Sequence, residues 1–141
     1  MTAYNDLLSD IIAYLDAQNV ATDGVNMFGE HLPTEPSLAL MVETTGGFEA
    51  DMKHGYSTAT FRLLARSSGT DARPAKEILA NAFDALHGFG TGYLVAAGAF
   101  VVSITAIQAA PVNIDRDENG RQRFSQNYQI EFAHATTHRT F

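Results

Sequence analysis

The chain reads as an α+β domain: a mainly antiparallel or mixed sheet of four to six strands, with two helices packed on one face. Three observations predict this. Two segments repeat apolar residues at helical spacing, and at least four others either alternate with period two or are apolar on both faces. The Gly, Pro, Asp and Asn clusters fall between these segments. Two helices cannot cover both faces of such a sheet, so the opposite face and at least one edge are expected to be polar or paired with something else.

The first helix is predicted from Tyr4, Leu7, Leu8, Ile11, Ile12 and Leu15, which share a stripe, with Asn5, Asp6, Ser9, Asp10 and Asp16 opposite. Thr2 is placed to cap it, and Asp6 lies near the positive end of its dipole. Asp23-Gly24 marks a turn, Val25–Gly29 a short strand, and His31–Pro36, with two prolines, a connection. Ser37–Thr44 is apolar on both faces, as a covered strand is. Thr45–Gly55, carrying Gly46, Gly47 and Phe48, reads as a loop longer than most connections. Tyr56–Arg66 alternates, with Ser57, Ala59, Phe61, Leu63 and Ala65 facing in.

Asp71 is a candidate cap for the second helix, with Pro74 in its first turn and Ala75, Ile78, Leu79, Ala82 and Leu86 as its buried stripe. Gly88 ends that helix, and Gly90 and Gly92 follow. Tyr93–Ala97 and Phe100–Ala109 read as two strands or one strand bent at Gly98. After a turn at Asp115–Gly120, Phe124, Tyr128, Ile130 and Phe132 share one face of a last strand, interrupted by Gln126. The order is α-β-β-β-α-β-β, with room for one extra strand.

With 141 residues and 45% hydrophobic content, the chain has the size of one domain spanning 1–141, with enough apolar residues for a core without metal or disulfides. Its net charge of −7 disfavours phosphate-based nucleic-acid binding and docking on anionic membranes. The lack of cysteine removes disulfides, thiolate catalysis and Cys-based zinc sites. The first twenty residues do not read as a signal peptide, and the apolar run Tyr93–Ala110 is too interrupted for a membrane span.

No catalytic set emerges. Asp115-x-Asp117-x-Asn119-Gly120 matches the start of a calcium-binding EF-hand loop, but the twelfth position is Gln126, the ninth is Arg123, and the flanks read as strands. A plain turn accounts for these residues. The five histidines, His31, His54, His87, His134 and His138, form no metal-binding spacing. The glycines at 88, 90 and 92 follow a helix and precede a strand, the reverse of a phosphate cradle. No cofactor is expected. Arg116, Arg121 and Arg123 interleave with Asp115, Asp117 and Glu118; solvated turn and intersubunit patch both fit that spacing.

The stretch Pro111–Tyr128 contains P-x5-D-E-x-G-R-x2-F-S-x-N-Y, carried by Pro111, Asp117, Glu118, Gly120, Arg121, Phe124, Ser125, Asn127 and Tyr128. With the element order around it, this resembles the tail-terminator family of long-tailed bacteriophages, often labelled minor capsid proteins. The resemblance implies a structural virion protein, not an enzyme. It implies a homohexameric ring at the head–tail junction that caps the tail tube, stops its polymerisation and presents a surface to the head-side connector or stopper. DNA then passes through the lumen without sequence-specific binding. Assembly would take place in the host cytoplasm.

On this reading Arg116, Asp117, Glu118, Arg121, Asn127 and Tyr128 serve the turn and intersubunit contacts. Gly46, Gly47 and Phe48 belong to a mobile loop that orders on assembly. The alternatives are another head–tail connector, stopper or neck component, a small metal-dependent enzyme using Asp115, Asp117 and a histidine, and a monomeric small-ligand binding domain.

Overall fold

The computed structural model describes residues 6–50, 52–69, 71–96, 98–134 and 136–139. Its elements run α1 Leu7–Ala17, β1 Met27–Gly29, β2 Ala39–Gly47, β3 Tyr56–Arg66, α2 Arg73–Leu86, β4 Gly90–Tyr93, β5 Phe100–Ala106, β6 Val112–Arg116 and β7 Gln122–Ala133. The seven strands form one mixed sheet in the order β1-β2-β3-β7-β5-β4, with β6 paired to β7 beside that path. All pairings are antiparallel except β1 with β2. The α+β class holds, with more strands than the four to six expected.

Both helices pack on one face. Ile11, Ile12 and Leu15 of α1 lie over β1 and β2, and the predicted stripe of α2 lies over β3, β5 and β7. The helices meet where the Tyr14 hydroxyl donates to the Ala85 carbonyl at 3.1 Å. The predicted alternation of β3 and β7 sets the floor of this core. Phe61 pairs with Tyr128 and Ala65 with Phe124, and the rings of Phe61 and Tyr128 stack at 5.1 Å. Such burial stabilises by about 1.5–3 kcal/mol per large apolar side chain.

Capping differs from expectation. Asp6 is the cap of α1: its Oδ1 accepts the Ser9 amide at 3.1 Å and its other oxygen accepts the Ser9 hydroxyl. Thr2, Tyr4 and Asn5 lie outside the described residues. The cap position of α2 is Ala72, which offers no side-chain acceptor; Asp71, one residue earlier, accepts the Arg73 amide at 3.1 Å.

Strand boundaries moved in several places. β1 begins at Met27, because Thr22–Asn26 close a turn on the Thr22 carbonyl. β2 runs through Gly46 and Gly47, which pair with Thr60 and Ala59 after an irregularity at Thr45. The strand expected over Tyr93–Ala97 is instead β4 Gly90–Tyr93, so Gly90 and Gly92 are strand residues and not a loose exit, and residues 94–96 lie outside it. Val112–Arg116, expected to lead into a turn, forms β6. β5 and β6 lie along the same side of β7, one beside each half of its length. Gln108 bridges the break between them: its side-chain oxygen accepts the Asn127 amide and its carbonyl accepts Gln126 Nε2, both at 2.8 Å. That bond explains why an amide side chain sits in the apolar row of β7, where Gln126 is buried.

Candidate functional site

The character of the helix-free face of the sheet is set by register. From Glu43 onward the face is polar, with Glu43, Arg62 and Asn127 side by side across β2, β3 and β7. Arg62 forms an ion pair with Glu43. The next row contains Thr60 and Gln129, and Thr45 donates its hydroxyl to that of Thr60 at 2.7 Å. At the opposite end the same face turns apolar, with Ala39, Met41 and Leu64 all buried.

That apolar end is covered by the proline-rich connection. Arg66, buried at the end of β3, donates Nε to the Ser37 carbonyl at 2.9 Å. Its Nη2 reaches the carbonyls of Pro33 at 2.6 Å, Thr34 at 3.2 Å and Pro36 at 2.7 Å. Arg121 adds a second hold, from Nη1 to the Thr34 carbonyl at 2.7 Å. Desolvation, then the neighbouring Arg121 charge, moves the Arg66 guanidinium below its ordinary value. Only a planar fork of donors spans so many carbonyls from one position.

The Asp115–Gly120 turn is a hydrogen-bonded corner. Asp117 Oδ1 accepts the amides of Asn119 and Arg121, each at 2.9 Å, and Oδ2 accepts Arg121 Nε at 2.7 Å. Gly120 takes the left-handed backbone that the turn requires, with φ 75°. Desolvation raises the Asp117 carboxyl, but these three donors outweigh it and hold the group below its ordinary value. Asp115 pairs with Arg123, which donates Nε at 2.6 Å and lowers that carboxyl as well. The oxygens that an EF-hand would aim at calcium are thus aimed at amides and guanidinium groups. Among the described residues no three acidic or histidine side chains converge on a point.

The residues singled out from sequence are therefore dispersed. Asp117 and Arg121 are bonded to each other and to the chain's own loop; the Arg121 side chain is only 8% exposed. Tyr128 is fully buried in the core, so its ring has no surface to offer a neighbour; burial also pushes its phenol up. Asn127 lies half-buried in the polar row of the open face. Gly46 and Gly47 are strand residues with positive φ, and a Cβ on Gly47 would fall 2.3 Å from the Thr58 carbonyl oxygen. Surface is offered by Phe48, 67% exposed at the end of the hairpin arm, and by Arg116 and Glu118 at the far corner.

Sequence reasoning missed two features. Arg66 gave no local sign of its role, because its partners lie about thirty residues earlier in the chain. The other is an open groove of about 620 Å³ on the helix-free face, under the β2–β3 arm, lined by Glu49, Ala50, Met52, Tyr56, Ser57, Thr58, Val102 and Glu131. Its only advance sign was the unusual length of the Thr45–Gly55 segment. No helix among the described residues is long and apolar enough to cross a membrane.

Residues 14–133 match the family model described as bacteriophage tail terminator protein. No curated protein is significantly similar in sequence. Among solved structures, a chain from the virion of a native gene transfer agent particle superposes with a TM-score of 0.60 at 14% identity, covering 91% of this chain and 95% of its own. At that identity the likeness speaks to the fold. A second solved chain, at 15% identity and a TM-score of 0.48 over 92% of this chain and 99% of its own, is too distant to carry an argument.

Proposed function

Because the chain belongs to the bacteriophage tail terminator family, and is thus a structural phage tail protein, we propose that it assembles as a ring, in the manner of a hexamer, on the end of the tail tube. There it stops tube polymerisation and offers its other side to a head-side connector or stopper. The observation that supports this best is the division of the sheet. One face is sealed by both helices, while the other is a polar row of Glu43, Arg62 and Asn127 with an open groove beside it. A closed ring needs two different complementary patches on each subunit. This chain has candidates at both ends of β7, namely the Phe48 arm with its groove and the Arg116–Glu118 corner.

The solved neighbour, from a gene transfer agent virion, adds to the expectation that the working form is a virion component assembled with other proteins. The net charge of −7 suits a lumen through which DNA slides without being held. Negative-stain imaging of the purified protein, alone and mixed with tail tubes, tests the reading. Rings seated on tube ends, with tubes no longer growing, are expected. A protein that leaves tube ends bare and tube growth unchanged refutes it.

A further inference from the structure

Almost every cation of this chain is occupied within it. Arg62, Arg73, Arg121 and Arg123 form ion pairs, Arg66 is spent on carbonyls, and Lys76 lies over the Phe124 ring. Arg139 bonds to Ser57, and Lys53 is also engaged. Among the described residues, Arg116 is the one cation whose side chain has no ion pair, hydrogen bond or ring contact. It stands at the end of β6, which is exposed throughout and pairs on one side only, with Val112 and Ile114 exposed beside it.

The groove under the arm is its complement. Glu49 and Glu131 line it without a basic residue among its walls, and neither carboxylate has a partner among the described residues. Met52 at 77% and Tyr56 at 53% exposure add apolar surface to match Val112 and Ile114. Arg116 pairs with Gln122 at one end of β7, and Glu131 lies near the other. Nine residues of extended strand separate those ends by about 30 Å, so one copy cannot satisfy itself.

We infer that Arg116 and the β6 edge of one subunit seat in the Glu49–Glu131 groove of the next copy of this chain, forming the repeated head-to-tail contact. This rests on the ring proposed above. The contact is heterologous, joining different patches, as ring closure requires. It also gives a counter-charge to Arg116, the one cation among the described residues whose side chain has no partner in its own chain.

The absence of cysteine makes the test direct. Arg116→Cys and Glu131→Cys are placed in the same chain and oxidised. A disulfide needs Cα atoms within about 7 Å, so the two positions cannot join within one copy. A reducible ladder of covalent multimers is expected, and none from Arg116→Cys paired with Asp84→Cys on α2. In parallel, Arg116→Glu, or Glu49→Arg with Glu131→Arg, is expected to weaken subunit association about tenfold or more. The combined reversal should recover most of it, which a merely misfolded variant would not do. If wild-type rings form, alone or on tubes, while the ladder is absent and the reversals associate normally, the contact is wrong and the ring reading survives. If wild type forms no ring under either condition, both fall.

Discussion

Replacing Arg66 tests how the helix-free face is kept apolar at one end and open at the other. In Arg66→Ala the carbonyls of Pro33, Thr34, Pro36 and Ser37 lose their shared donor. A buried carbonyl left without a partner costs about 1–3 kcal/mol. Two effects keep the total below the sum: the loop is half-exposed, so water can reach some of these oxygens, and removing the guanidinium also removes its desolvation cost. The balance is a loss of about 3 kcal/mol, or a drop in Tm of roughly 10 °C for a domain of this size.

Arg66→Lys should recover about half of this, since a point ammonium cannot span the four acceptors. Urea and thermal unfolding supply the stabilities, and hydrogen exchange across Ala39–Val42 reports whether the apolar end has been uncovered. A change under about 0.5 kcal/mol for Arg66→Ala, the size of an ordinary surface substitution, would refute the argument that this side chain holds the loop down.

The remaining predictions concern the arm, the corner, the core and the interface. Gly47→Ala should destabilise by more than about 2 kcal/mol, because its Cβ meets backbone, whereas Gly46→Ala, with open space around it, should cost only about 1 kcal/mol of strain; paired melting curves decide. Asp117 has a folded-state pKa below its unfolded value, so its stabilisation is present above about pH 4 and is lost as pH falls through the folded value. Asp117→Asn should therefore be less stable than wild type near neutrality and converge with it in acid, as urea titrations at several pH values would reveal. Tyr128→Phe should be neutral or stabilise by up to about 1 kcal/mol, since its hydroxyl is buried without a partner among the described residues; a clear loss would mean that the hydroxyl bonds a trapped water. Phe48→Ser should leave the subunit's melting temperature within about 1 °C while reducing capture by tail tubes in a pelleting assay.

Much of the fold was legible because its elements follow one periodicity at a time. The buried stripe of α2 agrees residue for residue with the helical spacing, and Phe61, Leu63 and Ala65 of the predicted inward face of β3 are buried, although Leu64 and Arg66 of its outer face are buried as well. What failed was local geometry governed by distant partners. β6 alternates over only two apolar positions, Val112 and Ile114, and both are exposed, so no core contact marks it; it is a strand because β7 presents an unpaired edge there. Gly46 and Gly47 look like loop residues in sequence, yet β3 is long enough to hold them in the ladder. The resemblance gives Tyr128 an intersubunit role, although the strand alternation already puts it on the apolar face of β7, where it stacks on Phe61. The groove and the Arg66 hold depend on chain reversals that bring residues far apart in sequence together, and no spacing rule encodes those.

The division of charge explains why the same motif can look like a turn and an interface at once. Asp117 and Arg121 lie four residues apart and neutralise each other inside the corner, so their contribution is shape: they fix where β6 ends and β7 begins. Asp115 and Arg123 do the same across the strand pair. Arg116 and Glu118, interleaved with them, are left exposed and unpaired among the described residues. Alternating positions along an extended segment face opposite sides, so one charged stretch can build the corner with one set of residues and offer another set outward. A substitution in the first set should lower stability and assembly together, while one in the second should change assembly alone.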